Sequence, residues 1–187
     1  DINAAIFSKD DLYFDGTGSL IVKANYEDAI VSKDDLVFYN GTYEITSKDD
    51  GIRGKDSVVI YDWNFTINAG GDAIKSTNDK DTDKGYVVIE TGTFNLTSVN
   101  DGMQAETTLL IKGGNFNIKT TGNSSSESSK GLKAGTLIEI TGGTFTINTT
   151  DDGIHSNGNI TISAGNITIT SSDDAVHADG LVQIDGG

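Results

Sequence analysis

A small residue followed by an apolar one returns eight times along the chain: Ala5-Ile6, Ala29-Ile30, Gly51-Ile52, Ala73-Ile74, Gly102-Met103, Gly131-Leu132, Gly153-Ile154 and Ala175-Val176. The usual spacing is 22 residues, and it stretches to 29 twice, on either side of Met103. A fixed period of this length marks a stacked-repeat architecture. Two further apolar pairs recur inside the period. One is Leu36/Phe38, Val58/Ile60, Val87/Ile89, Leu109/Ile111, Ile138/Ile140 and Ile160/Ile162; the other is Tyr43/Ile45, Phe65/Ile67, Phe94/Leu96, Phe116/Ile118, Phe145/Ile147 and Ile167/Ile169. Each period therefore holds three short segments with period-two alternation, the strand signal, filled by Thr, Val, Ile and Phe. Gly, Asn and Asp fill the gaps, as turns prefer.

Strands this short make poor hairpins, but they serve as rungs of a right-handed parallel β-helix whose coils stack at roughly 4.8 Å. An antiparallel sandwich with evenly spaced strands is the alternative. It does not explain why one position keeps the same chemistry in every period. The expectation is an all-β fold of seven to eight coils, one domain over residues 1–187, with inserts near 77–85 and 121–129. The position two after each anchor is small throughout (Ser8, Ser32, Gly54, Ser76, Ala105, Ala134, Ser156, Ala178), which reads as an inward corner with little room.

The residue before each small anchor is Asp28, Asp50, Asp72, Asp101, Asp152 or Asp174 in six coils, with Lys130 in one more. One residue earlier stand Asp49, Asp151 and Asp173. Bare carboxylates at rung spacing repel, so such a column needs turn amides, cations or metal. With no Cys and only two His in 187 residues, oxygen ligands point to Ca²⁺ rather than Zn²⁺. Asp28/Asp49/Asp50/Asp72 and Asp151/Asp152/Asp173/Asp174 are the best groups; the alternative is that each Asp caps its own turn. Lys130 reads as an internal cation interrupting the column. A second acidic stretch, Asp79-x-Asp81-x-Asp83 with Glu90 further on, partly resembles a calcium loop, against the alternative of a solvated loop.

Directly after each apolar anchor, alternation sends a side chain outward. From Arg53 on, the series reads Arg53, Lys75, Gln104, Lys133, His155, His177. Beside a row of calcium ions, the cations Arg53, Lys75 and Lys133 would receive sugar carboxylates; charge balance is the plainer account. The histidines read as surface donors. Tyr39 and Tyr61 form an outward pair, and Trp63 occupies a turn position that is Gly in most coils, so it should project to solvent. A platform for pyranose stacking is the functional reading of these three; shielding of the sheet is the other.

Net charge is −15, from 13 basic and 28 acidic residues. Nucleic acid and anionic membrane surfaces are disfavoured as partners, because phosphate binding needs a basic surface. No apolar run is long enough to span a bilayer. Both chain ends fall inside a repeat, which suggests a trimmed region with any secretion signal upstream.

The "DDGI" and "DDAV" turns, the "GGTFTI" and "GGNFNI" strands and the "LIKG" strand resemble the bacterial carbohydrate-binding β-helix domain family along nearly the whole chain. The resemblance implies a secreted or cell-surface protein with Ca²⁺ in its coils, binding cellulose-like and pectin-like polysaccharides of the plant cell wall, and a monomer is expected. That family is similar in turn to family nine polysaccharide lyases, whose catalytic calcium turn reads Asp-Asp-Gly-apolar-Asp with a lysine base on a neighbouring coil. Asp49-Asp50-Gly51-Ile52 matches the first four positions, but Arg53 stands at the fifth. The expectation is therefore a non-catalytic, calcium-containing polysaccharide binder. A calcium-dependent pectate lyase with Lys75 or Lys133 as base, and a structural surface adhesin, are the alternatives.

Overall fold

The computed structural model describes residues 3–123 and 128–187. Among them there is no helix, so none is long and apolar enough to cross a membrane. Twenty-three strands form three sheets of eight, eight and seven. Each coil contributes one strand to each sheet, except the last, which gives none to the third, and every pairing is parallel, the order of a right-handed parallel β-helix.

The anchors seen in the sequence set the register. In the first sheet Ile6, Ile30, Ile52, Ile74, Met103, Leu132, Ile154 and Val176 lie on successive rungs. The second sheet carries strands such as Asp35–Phe38, Ser57–Ile60 and Tyr86–Ile89, and the third carries strands such as Thr42–Thr46, Asn64–Ala69 and Thr93–Ser98. The 22- and 29-residue coils stack in the same register, because the additional residues of the first long coil sit in the turn between Ile74–Ser76 and Tyr86–Ile89. The Ser-rich insert lies partly outside the described residues.

Alternation puts every second side chain inward, where identical residues stack. Phe65, Phe94, Phe116 and Phe145 form a buried ladder with ring centroids 4.5 to 5.4 Å apart and planes within 6°. This spacing is the rung spacing itself, so one aromatic per coil fills the core without a gap. The small positions Ser32, Gly54, Ser76, Ala105, Ala134 and Ser156 are buried as expected. Gly41, Gly92, Gly114, Gly143 and Gly165 enter the third sheet with φ between +110° and +135°, a region closed to most L residues. Trp63 holds the equivalent place, and no non-glycine residue among those described has positive φ, so its turn follows a different path.

Candidate functional site

The strand and turn before each first-sheet rung place the aspartates in a buried file. Asp28, Asp50, Asp72, Asp101 and Asp152 are each 5% exposed or less. Their Oδ1 atoms follow one rule: each accepts the backbone N–H of the corresponding residue one coil on. Asp50 donates to Asp28 at 3.0 Å, Asp72 to Asp50 at 2.9 Å, Asp101 to Asp72 at 2.7 Å, Lys130 to Asp101 at 2.8 Å and Asp174 to Asp152 at 3.1 Å. Charge-assisted bonds of this kind are the strong ones, and they spare the turn an orphaned buried donor.

The Oδ2 atoms face the outward stripe. Arg53 bonds Asp28 through its guanidinium, with Nε 3.5 Å from Asp50. Lys75 Nζ lies 2.5 Å from Asp72 and 3.8 Å from Asp50. Lys133 Nζ stands 3.4 Å from Asp101 Oδ2, an oxygen that has no hydrogen bond. His155 and His177 take the same place opposite Asp152 and Asp174. Lys130 is the internal cation expected, 2.5 Å from Asp151 and 3.7 Å from Asp152. Arg53, Lys75 and Lys133 are thus committed to carboxylates and leave about a quarter of each side chain exposed.

These contacts tune the groups. Burial pushes the Asp50 carboxyl up to about 7; Lys75 opposes it, and the charges of Asp72 and Asp28 add to it. Burial pulls Lys75 down, but Asp72 and Asp50 outweigh that and hold its ammonium above the ordinary lysine range. An amine held protonated in this way is a poor proton acceptor, which counts against Lys75 as an elimination base.

Of the aspartates named from sequence, two triads come together: Asp28, Asp49 and Asp50, and Asp151, Asp152 and Asp173. In each, one oxygen per residue lies within 4.8 Å of the others. Asp72, Asp101 and Asp174 fall outside these triads. A third triad, Asp10, Asp11 and Asp34, also converges; it sits outside the repeated DDGI turns, so the anchor pattern gave no sign of it. In the first triad Gly71 occupies the next coil's equivalent of Asp49, and a Cβ there would run into Asp49 Oδ1 and Asp50 Oδ1. The missing side chain leaves an approach to an all-oxygen donor set, which fits a hard cation in kind. The acidic insert behaves otherwise. Asn78 Nδ2 donates to Asp56 Oδ1 at 2.6 Å, Lys84 pairs with Asp56, Lys80 with Asp79, and Glu90 with Lys112. Its acids are absent from the converging groups.

The outward face of the second sheet carries aromatics. Tyr39 and Tyr61 stack at 5.1 Å and 11°, as expected for a pair on neighbouring rungs, and Tyr13 extends the stack at 6.3 Å and 20°. Tyr13 was missed because it pairs in register with Val37, not Tyr39; its ring reaches its neighbour on the diagonal. Trp63 corrects the sequence-based expectation. It does not project into solvent but is half-buried against the core, with Nε1 donating to the Tyr39 carbonyl at 2.5 Å. Trp63 lines an open cleft of about 280 Å³ together with Asp62, Asn64, Thr91, Gly92, Thr93 and Asn115. The polar side chains of that cleft are exposed, and among the described residues none makes a side-chain hydrogen bond. Sequence gave no sign of the cleft, because its residues come from three successive coils.

Among solved structures, the gadolinium derivative of a polysaccharide lyase-like protein from C. thermocellum is similar in fold. It is 18% identical, with a TM-score of 0.50 over 95% of this chain and 88% of that one. Comparison with curated proteins finds no match. Residues 1–175 match the family described as carbohydrate-binding domain-containing protein. The match spans nearly every coil, including the acid column and the aromatic face, and the chain belongs to the carbohydrate-binding domain-containing protein family.

Proposed function

We infer that the chain is a non-catalytic module for plant cell-wall polysaccharide that receives a neutral, cellulose-like sugar at the Trp63 cleft. One observation carries this reading: Trp63 lines an open cleft beside five polar side chains that have no side-chain hydrogen-bond partner among the described residues. An aromatic face takes the apolar face of a pyranose, while Asp62, Asn64, Thr91, Thr93 and Asn115 supply donors and acceptors for its hydroxyls. The tyrosine ladder stacks face to face, so within it a ligand meets ring edges and hydroxyls; it would guide a chain lying along the solenoid axis. Isothermal titration with soluble cello-oligosaccharides tests this. Wild type binds, and Trp63→Ala weakens binding at least tenfold with the far-ultraviolet circular dichroism unchanged; unchanged affinity overturns the reading.

Acidic, pectin-like chains have a second place on the stripe of Arg53, Lys75 and Lys133. The observation in favour is that each side chain keeps about a quarter of its surface open, Arg53 and Lys75 beside Asp50 of the first triad and Lys133 further along the same face at Asp101. A net charge of −15 opposes any polyanion. Calcium held by Asp49 with Asp28 and Asp50, and by Asp151, Asp152 and Asp173, would offset that repulsion and brace neighbouring coils. Binding without turnover follows from Arg53 standing at the fifth position of the turn and from the raised Lys75 ammonium. A secreted or cell-surface location suits this reading.

A further inference from the structure

The last two rungs of the outward stripe differ in kind from the others, since they carry imidazoles where earlier rungs carry permanent cations. His155 and His177 are paired in register, with ring centroids 4.8 Å apart. Both turn Nδ1 toward one buried carboxylate. Asp152 Oδ2 lies 2.8 Å from His155 Nδ1 and 4.0 Å from His177 Nδ1, and Asp174 Oδ2 lies 3.2 Å from His177 Nδ1. Oδ1 of Asp152 is already engaged by the Asp174 N–H, so Oδ2 is the oxygen left to point at the ring nitrogens.

We propose that Asp152, His155 and His177 form a binding site for a borderline transition-metal ion of the Zn²⁺ class, bridging the last two coils. Metal–ligand bonds of about 2.0–2.1 Å in a tetrahedron set ligand atoms roughly 3.3 Å apart. The two carboxylate–imidazole separations, 2.8 and 4.0 Å, lie on both sides of that value, and the three ligand atoms all fall within 4.8 Å of one another. The donor set, two imidazoles and a carboxylate, selects Zn²⁺, Co²⁺ or Ni²⁺ over Ca²⁺. The far nitrogens add an independent sign. His155 Nε2 faces Asn157 Oδ1 at 3.1 Å, and His177 Nε2 faces Asp179 Oδ1 at 3.6 Å. For His155 the acceptor at Nε2 favours the tautomer with the proton there and the Nδ1 lone pair toward the metal, the usual outer-shell arrangement of ligating histidines, whereas Asp179 lies beyond hydrogen-bond distance of His177 and acts only as a nearby charge. Asp174, at the open edge, or water completes the tetrahedron. Lys130, 3.7 Å from Asp152 Oδ2, is held by Asp151 at 2.5 Å and need not leave. His177 is partly exposed, so an ion can enter from solvent.

The chain has only two histidines, so the readout is unambiguous. Co²⁺ is titrated into the calcium-free whole protein, following the visible absorption of four-coordinate cobalt and both imidazole proton resonances. The expected result is one saturable equivalent that perturbs both histidines, is displaced by Zn²⁺, and weakens at least tenfold in His155→Ala and in His177→Ala. Glu44→Gln, an exposed carboxylate several coils away, retains it. Absence of saturable binding, or binding that survives His155→Ala combined with His177→Ala, overturns the proposal. Displacement of Co²⁺ by an equal concentration of calcium would overturn it as well, because a site built on two imidazoles prefers the softer ion.

Discussion

On the first sheet, Arg53, Lys75 and Lys133 point outward and turn back onto Asp28, Asp72 and Asp101; on the second, Tyr13, Tyr39 and Tyr61 point outward and stack on one another. Both are columns of like residues at rung spacing. In the first, Asp28, Asp50, Asp72 and Asp101 each meet an amide on one carboxylate oxygen and a cation near the other. Beside the second, the Trp63 cleft keeps polar groups that the fold does not use. The difference teaches that a residue's place on a surface does not make it available. Charge on the acid face is spent on holding coils together, and the open hydrogen-bonding capacity lies on the aromatic side.

The comparison breaks most visibly where the acid column is cut. Asp72→Ala removes the acceptor of the Asp101 N–H and the partner of Lys75 together. Removing one partner of a buried pair costs about 3–5 kcal/mol, which in a chain of this size lowers the melting temperature by roughly 10 °C. Thermal unfolding measured beside wild type decides; a shift under a degree or two would mean that the column is ornamental.

A smaller effect concerns protons. The folded Asp50 carboxyl sits at about 7 against an ordinary 3.8. Between those values the native state holds a proton that the unfolded chain has released, so stability falls as pH rises across this window and the loss is complete above it. Calcium needs the ionised form, so its stabilisation should be greatest at and above pH 7. Melting curves from pH 4 to 8 should therefore decline without calcium and flatten with it, and EDTA should restore the decline. Asp50→Asn should be flatter with no metal at all. A calcium response equal at pH 5 and pH 8 would remove Asp50 from the site.

Ligand variants sharpen the contrast further. Lys75→Ala with Lys133→Ala should weaken polygalacturonate binding by a few-fold, in step with its loss on adding salt or EDTA, because exposed charge pairs are screened. Cello-oligosaccharide binding should not change. Binding of polygalacturonate that ignores both substitutions would place the carboxylates elsewhere. The smallest effect is expected for Tyr61→Ala, about twofold on a long cello-oligosaccharide and none on the shortest, since a ring inside a stack offers mainly its edge.

Most of the fold could be read directly because the repeat is written in residues that pack against copies of themselves. The anchors Ile30, Ile52 and Ile74 name the rung, and the phenylalanines name the inward face of the third sheet. The acid column could be read as a column, yet the partner of each oxygen could not. That Asp50 Oδ1 receives the amide of Asp72 depends on the turn's backbone, which composition does not encode. Trp63 shows the other limit. Its place in a glycine column suggested a side chain thrown outward, but a turn that avoids positive φ lets the indole lie back on the core. The cleft beside it comes from three coils, 62–64, 91–93 and 115, whose lateral proximity is clear only once the register is known.

The amide-to-carboxylate link between coils is the same whether 22 or 29 residues separate its ends, as in Asp72 to Asp50 and Asp101 to Asp72. Coil alignment is therefore indifferent to how much chain is spent between one aspartate and the next. The turns behave as ports into which new segments can be spliced without a slip in the stack. That freedom makes the turn at 77–85 a natural point for grafting a foreign recognition loop onto this solenoid while the column keeps count.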